Sequence, residues 1–354
     1  MRKSESVGKH VVKVFTVQIS DSSIICRIRR LFVKEVQTQA LQNSRLVQSV
    51  EHRNLTPDVG GSNPSTAAKF KLKGYNFIMI IINPSVEEIK QTDLFKHIEL
   101  CGRTCYKSTD KITEDSSKTF VDKLIKANHG AMLEHGTVYL TIPCYESLYG
   151  AVSGMEYYLI EKLLNNKYAE KVIQPINAGE DYKYLVTTNF RVIVENKFES
   201  LYSKYGVEQP KSHERRITFK IICDRSISHE FVRHRVFSFA QESQRYCNYS
   251  KDKYNNQITV IKPCYLKEDS EEYNIWKNSC ENSEAAYLKL IKTCKPEEAR
   301  AVLPNSTKTE LIMTGLESDW YKFLELRCAN SAHPQAREIA FKIKEILDNE
   351  KNMN

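Results

Sequence analysis

The sequence predicts an α+β fold, a mainly antiparallel sheet flanked by helices, and three observations carry that expectation. Residues 137–142 and 216–223 alternate apolar and polar side chains with a period of two, as a strand with one buried face must. Residues 318–329 and the stretch after Pro334 space their apolar residues at three and four, the period of a helix with one buried stripe. Strands and helices do not alternate regularly, and no G-x-G-x-x-G follows a strand, which argues against a parallel, doubly wound sheet.

Taken in order, residues 78–82 are an apolar run ended by Asn83-Pro84, suited to a short buried strand. Residues 85–101 carry Val86, Ile89, Leu94, Phe95 and Ile98 at roughly helical spacing, and 101–108 read as a loop. Cys101 and Cys105 have no second cysteine pair beside them, so they read as small packed residues, not metal ligands. Residues 118–127 are helical. Glu134-His135 lacks the second histidine that H-E-x-x-H zinc chemistry needs, and His135 stands at the entrance of the 137–142 strand.

Residues 151–166 are helical through Tyr158, Leu159, Leu163 and Leu164; a turn at Asn177-Ala178-Gly179 follows, then a strand or hairpin over 182–195. After the 216–223 strand, Ser226 caps a helix toward Arg233 that turns Ile227 and Phe231 to the core. Trp320, Phe323, Leu324 and Arg327 share one helical face. A cation on such a stripe either snorkels to solvent or needs a partner. Pro334 starts a last amphipathic helix through Ile339, Ile343, Ile346 and Leu347.

Hydrophobic residues make up 41% of the 354, and no run approaches the roughly 18 apolar residues of a bilayer span. A soluble globular protein without a membrane partner is expected. Ten cysteines, with neither C-x-x-C nor zinc-finger spacing, fit a reduced, cytoplasmic chain without a metal site. The net charge of +8 sits entirely in residues 1–78, which hold 13 Lys and Arg against 5 Asp and Glu; the remainder holds 39 of each. A nucleic-acid partner is therefore not expected. Residues 1–78 lack sustained periodicity, and Gly61-Ser62-Asn63-Pro64-Ser65 resembles a transfer-RNA arm read as protein. The expected organisation is a non-native or disordered extension over 1–78 and one working domain over 79–354, with Met79 as natural start.

Chemistry concentrates in residues 233–246. Arg233, Arg235 and Arg245 stand there with His234, Glu242, Ser238, Ser243, Gln241 and Gln244, interleaved with Val236, Phe237 and Phe239. Burying the apolar residues carries the polar ones into a crevice where each needs a partner. Guanidiniums bind phosphate through two hydrogen bonds and stack on flat rings, so a planar phosphorylated ligand fits; a solvated charged loop is the plainer alternative.

The spacing Arg233-His234-Arg235, seven residues, then Ser243, Arg245 and Tyr246 resembles the signature of the flavin-dependent thymidylate synthases, and the likeness runs from about Cys101 to Glu338. The resemblance implies a homotetramer with shared sites that methylates dUMP to dTMP, with FAD as cofactor and NADPH and methylenetetrahydrofolate as co-substrates. It implies dUMP contacts from Glu230, Arg233, Gln241, Glu242, Ser243, Gln244, Arg245, Arg300 and Arg327, with Arg327 also catalytic by helping to ionise the pyrimidine N3. Arg300 lies in Ala299-Arg300-Ala301-Val302-Leu303-Pro304, similar to the family's A-R-x-x-L-P, whose arginine reaches a neighbouring subunit's nucleotide. FAD contacts are implied for His135, Thr137, Arg233, His234, Arg235, Gln241, Leu316, Ser318 and Lys322, and residues 101–108 resemble the segment that covers the flavin.

Departures are visible. Ala240-Gln241 stands where many members have Asn-Glu, Glu230 replaces a common Gln, and the usual Asn-x-Arg and Asn are replaced at Leu316, Ser318 and Lys322. No side chain stores a hydride, so the two electrons of the methylation must come from a cofactor. Cys144 and Cys264 follow proline but precede tyrosine, unlike the Pro-Cys-His nucleophile of classical thymidylate synthases. A flavin- or nucleotide-binding protein without turnover is the alternative from a different class.

Overall fold

In the computed structural model, which describes residues 79–143, 153–176, 181–208 and 212–353, the chain opens on two strands, β1 (Ile80–Ile82) and β2 (Ser85–Glu88). The helix expected over 85–101 is thereby corrected. Helix α1 (Leu94–Thr104) starts only after Asp93, whose Oδ1 accepts the Lys96 amide at 2.8 Å, and it absorbs Cys101–Thr104, expected as loop. Val86 and Ile89 fit a helical spacing by coincidence, because a four-residue strand is too short for its own period to show. Helices α2 (Ser116–Lys126) and α3 (Gly130–Leu133) follow.

The next elements build a three-stranded antiparallel sheet. They are β3 (Thr137–Pro143), α4 (Gly154–Leu164), β4 (Glu170–Ile176), β5 (Asp181–Asn189), α5 (Phe190–Asn196) and α6 (Glu199–Tyr205), with strand order β3-β5-β4. The strand or hairpin expected over 182–195 ends at Asn189, whose side chain accepts the Val192 amide at 3.1 Å and starts α5. Val138, Leu140 and Ile142 face inward as their alternation requires, against Ile160, Leu163, Val186 and Ile193.

The principal sheet follows from β6 (Arg216–Asp224), α7 (Arg225–Phe231), β7 (Ser238–Gln241), β8 (Thr259–Ile261), α8 (Glu271–Leu290), α9 (Pro296–Ala299), β9 (Lys308–Leu316), α10 (Glu317–Arg327) and α11 (Pro334–Met353). Its order is β2-β6-β9-β7, all antiparallel, while β1 and β8 form a separate parallel pair. The mixed α/β architecture with antiparallel sheets and flanking helices agrees with the expected class. Strand β9 was not expected. It is buried on both faces from Thr309 to Gly315, so its apolar residues run together and show no period of two.

Two further corrections concern the signature. Asp224, not Ser226, caps α7, its Oδ1 accepting the Ile227 amide at 2.8 Å and the Ser226 hydroxyl at 2.6 Å. Residues 238–241, expected within a loop, are strand β7, paired to β9 from Ser238 opposite Thr314 to Gln241 opposite Leu311. Phe237 anchors the segment, its ring 4.5 Å from that of Trp320 in a core shared with Phe219, Phe231, Phe323 and Ile339. The extension expected over 1–78 and the turn at Asn177-Ala178-Gly179 lie outside the described residues. Among the described residues no helix is long and apolar enough to cross a membrane, and no cluster of metal-ligating side chains occurs.

Candidate active site

Strand β7 spans four residues, roughly 13 Å, and separates two clusters of polar side chains. At its N-terminal end, Arg235, Val236, Phe237 and Ser238 wall a cleft of about 520 Å³, with Glu134, Lys167, Glu170, Asn189, Arg191, Arg216, Leu316 and Asp319 around it. Arg191 is held between Glu134 at 2.6 Å and Glu195 at 2.7 Å. Arg216 Nη1 donates to the Glu134 carbonyl at 3.0 Å and Nη2 to Ser238 Oγ at 3.3 Å. Burial pushes the Arg216 guanidinium down to about 10.

At the C-terminal end the chain turns into Glu242–Tyr246 over a buried ion cluster. Lys308 Nζ reaches Glu242 at 2.8 Å and Glu310 at 2.7 Å, and Glu310 also pairs with Lys107 and, at 3.8 Å, with Lys220. Burial alone would raise the Glu310 carboxyl; Lys308 and Lys107 hold it down to about 2. Gln241 Nε2 donates to Ser228 Oγ at 2.8 Å and Thr309 Oγ1 at 3.3 Å. The Ser243 amide donates to the Cys105 carbonyl at 3.0 Å, and the Tyr106 and Tyr246 rings stand 5.1 Å apart. Arg245 lies over Tyr246 and 4.0 Å from Glu297, whose carbonyl accepts Arg300 Nε at 3.2 Å. Burial depresses Arg225, and repulsion from the Arg300 guanidinium adds to it.

Arg327, in the last turn of α10, meets the end of α7 and the loop before β7. Its Nη1 donates to Glu230 Oε2 at 2.7 Å, Nη2 to the Glu230 carbonyl at 3.0 Å and Nε to His234 Nε2 at 3.0 Å. With its side chain only 14% exposed, Arg327 is paired inside the structure and does not snorkel. Burial, then Arg327 itself, depresses His234, so its imidazole stays neutral and accepts.

Several expected contacts sit differently. The His135 imidazole is fully buried and bonded through Nδ1 to Thr314 Oγ1 at 2.8 Å. Thr137 is buried, its backbone N–H and C=O both engaged by the Gln91 amide at 2.8 Å. Glu242 is 1% exposed and serves Lys308. Gln244 has a buried amide nitrogen without a partner. Arg233 and Arg235 are exposed on the loop before β7. Leu316 lines the cleft, whereas Ser318 and Lys322 are exposed on α10, Lys322 paired to Asp319 at 3.0 Å.

Arg191, Arg216, Arg225, Lys107 and the Lys308–Glu310 pair were not singled out from sequence. Opposite charges two apart in Lys308-x-Glu310, on one face of a strand, were the available signal. A second groove, about 580 Å³ along α8, is lined by Ile275, Ser279, Asn282 and their neighbours; it holds no charged side chain and shares no residue with either cluster.

The family model described as "Thymidylate synthase complementing protein" matches residues 166–350, more than half of the chain. The chain belongs to this family. Thymidylate synthase complementing proteins similar to it include the flavin-dependent thymidylate synthase of Pyrococcus furiosus, 34% identical over 164 residues that cover 45% of this chain and 66% of that protein. That of Clostridium tetani is 30% identical over 165 residues, 41% of this chain and 63% of that protein. The chain thus spans under two thirds of these relatives' length. Among solved structures, a UMP/dUMP methylase, PolB, from Streptomyces cacaoi bound with 5-Br dUMP is 16% identical, covering 77% of this chain and 93% of that one at a TM-score of 0.36.

Proposed function

We propose that this chain methylates dUMP to dTMP, taking the carbon from methylenetetrahydrofolate and the electrons from NADPH through FAD. The observation that supports it best is the sorting of the signature along β7. The flavin-expected Arg235 and Leu316 meet at the cleft end, the nucleotide-expected Ser243 and Arg245 lie toward the Lys308 end, and Gln241, expected at both ligands, ends β7.

The donor set fits a flavin dinucleotide. Val236 and Phe237 offer apolar wall for a ring system, and Arg216, Arg235 and Lys167 offer cations for a diphosphate. When bound, the flavin supplies the two reducing equivalents that no side chain can store.

The remaining steps belong to this chain's residues. Ser243 and Arg245 hold the nucleotide phosphate, Arg300 adds a guanidinium to a neighbouring subunit's nucleotide, and Arg225 deepens the positive potential beside Arg300. Arg327 holds its charge beside the site through Glu230 and His234, and stabilises negative charge developing at the pyrimidine N3. Glu230 orients that guanidinium where a neutral Gln would attract it less. The sites are completed in a homotetramer, and residues 1–78 take no part in catalysis.

The test is release of tritium from C5-labelled dUMP by the full chain with FAD, NADPH and methylenetetrahydrofolate. Release that needs all four supports the activity. Flavin retention without release would instead favour the binding protein without turnover. Ser243→Ala and Arg245→Ala are each expected to weaken dUMP binding about tenfold or more with folding intact; near-normal kinetics in both would sink the phosphate assignment.

A further inference from the structure

Arg216 is a half-buried guanidinium on the cleft wall, and among the described residues no carboxylate lies within ion-pair distance of it. Its two hydrogen bonds go to a carbonyl and a hydroxyl, which orient the fork without neutralising it. A desolvated cation without a counter-charge is unfavourable unless something supplies the charge. The cleft's own carboxylates are mostly committed elsewhere: Glu134 and Glu195 to Arg191, Asp319 to Lys322, leaving Glu170. Among the described residues Lys167 and Arg235 on the same wall also lack carboxylate partners; Lys167 lies over the Tyr168 ring.

From this we infer that Arg216, with Arg235 and Lys167, forms an anion site on the cleft wall that takes the diphosphate of a dinucleotide. The assignment rests on the flavin reading above and adds to it a residue outside the signature. The sheet places Arg216 there: it is the first residue of β6, directly opposite Leu316 at the end of β9. Ser238 of β7, two residues inward on the other side of β9, turns its hydroxyl to the same guanidinium. A dianionic bridge with two adjacent phosphoryl groups matches cations on several sides better than a single carboxylate would.

The experiment compares the wild-type chain with Arg216→Met and Arg216→Lys, measuring affinity for FAD and for riboflavin, which lacks the diphosphate, and thermal stabilisation by inorganic pyrophosphate. Arg216→Met is expected to weaken FAD by about tenfold or more, leave riboflavin unchanged and abolish the pyrophosphate shift. The melting temperature without ligand holds or rises, because an uncompensated charge has gone. Arg216→Lys falls between, keeping charge but losing the fork. FAD affinity within about twofold of wild type in Arg216→Met overturns the assignment, as does equal loss of FAD and riboflavin with a lowered melting temperature. If Arg216→Met does not fold, unaltered FAD and pyrophosphate binding in Arg216→Lys overturns it, and a selective loss supports it. A wild type that binds no flavin but responds to pyrophosphate only through Arg216 keeps the anion site and removes the flavin reading. No pyrophosphate response in the wild type overturns the anion site itself.

Discussion

Lys308 Nζ stands 2.8 Å from Glu242 and 2.7 Å from Glu310, and Glu242 is the first residue after β7. Burial works against the ammonium, yet the two carboxylates outweigh it and raise Lys308 above its ordinary value. Lys308→Met leaves Glu242 buried without its cation, so a loss of about 3 kcal/mol or more in urea unfolding is expected. Nucleotide binding should fall with it, because Glu242 precedes Ser243 and Arg245. Wild-type stability and dUMP affinity in that variant would show that the cluster does not hold the segment. At the same scale, His97 Nε2, Thr218 Oγ1, Thr314 Oγ1 and His135 Nδ1 form a buried chain with steps of 3.2, 2.8 and 2.8 Å. Burial, with repulsion from Arg216, pushes His97 down to about 4 and His135 to about 3. Unfolded, both titrate near 6.5, so below that pH the unfolded chain binds more protons. Stability is therefore full above about pH 6.5 and falls as pH drops toward 4, by about 1.4 kcal/mol per unit per imidazole. Urea midpoints from pH 7 to 5 should show a slope that flattens in His97→Asn/His135→Asn; an unchanged slope would assign the acid sensitivity elsewhere.

Strand β7 owes its position to a close approach as much as to its hydrogen bonds. A Cβ added at Gly315 would come within 2.4 Å of the Phe237 ring, which packs between β9 and Trp320. Gly315→Ala must push Phe237 off Trp320, with an expected loss of about 1–3 kcal/mol. Arg235, Val236 and Ser238 flank that ring, so the cleft should loosen as well. Thermal unfolding together with flavin affinity checks this; full stability and full affinity would mean that the ring moves freely.

On the scale of the whole molecule, the described residues all fall within one compact unit, Gly74–Asn354. Its helices cover both faces of the principal sheet: α10 and α11 pack Trp320, Phe323 and Ile339 on one side, and α1 packs Cys101 against Ala240 and Ile312 on the other. On the proposal that residues 79–354 are the working domain, a chain beginning at Met79 is expected to melt within a few degrees of the full chain. Light scattering on the same sample should give the mass of a tetramer. A chain from Met79 that fails to fold, or that remains monomeric with full turnover, would refute the corresponding proposal.

The sequence by itself determined the signature and its spacing, the strands over 137–142 and 216–223, the last two helices and the one-sided face that carries Arg327. Each of these is local: a period, a cap or a fixed interval, readable without knowing what lies opposite. Strand β9 escaped because both of its faces are covered, which erases alternation, and β7 escaped because four residues are too few to show any period. The partners of Arg327, Lys308 and His135 in the pairs Arg327–Glu230, Lys308–Glu242 and His135–Thr314 lie 97, 66 and 179 positions away in the chain. Whether a buried charge is neutralised, as at Lys308, or left awaiting an anion, as at Arg216, depends on such long-range neighbours. Only the tertiary structure could decide that, because electrostatic energy follows distance in space and burial, and neither is written in the order of residues.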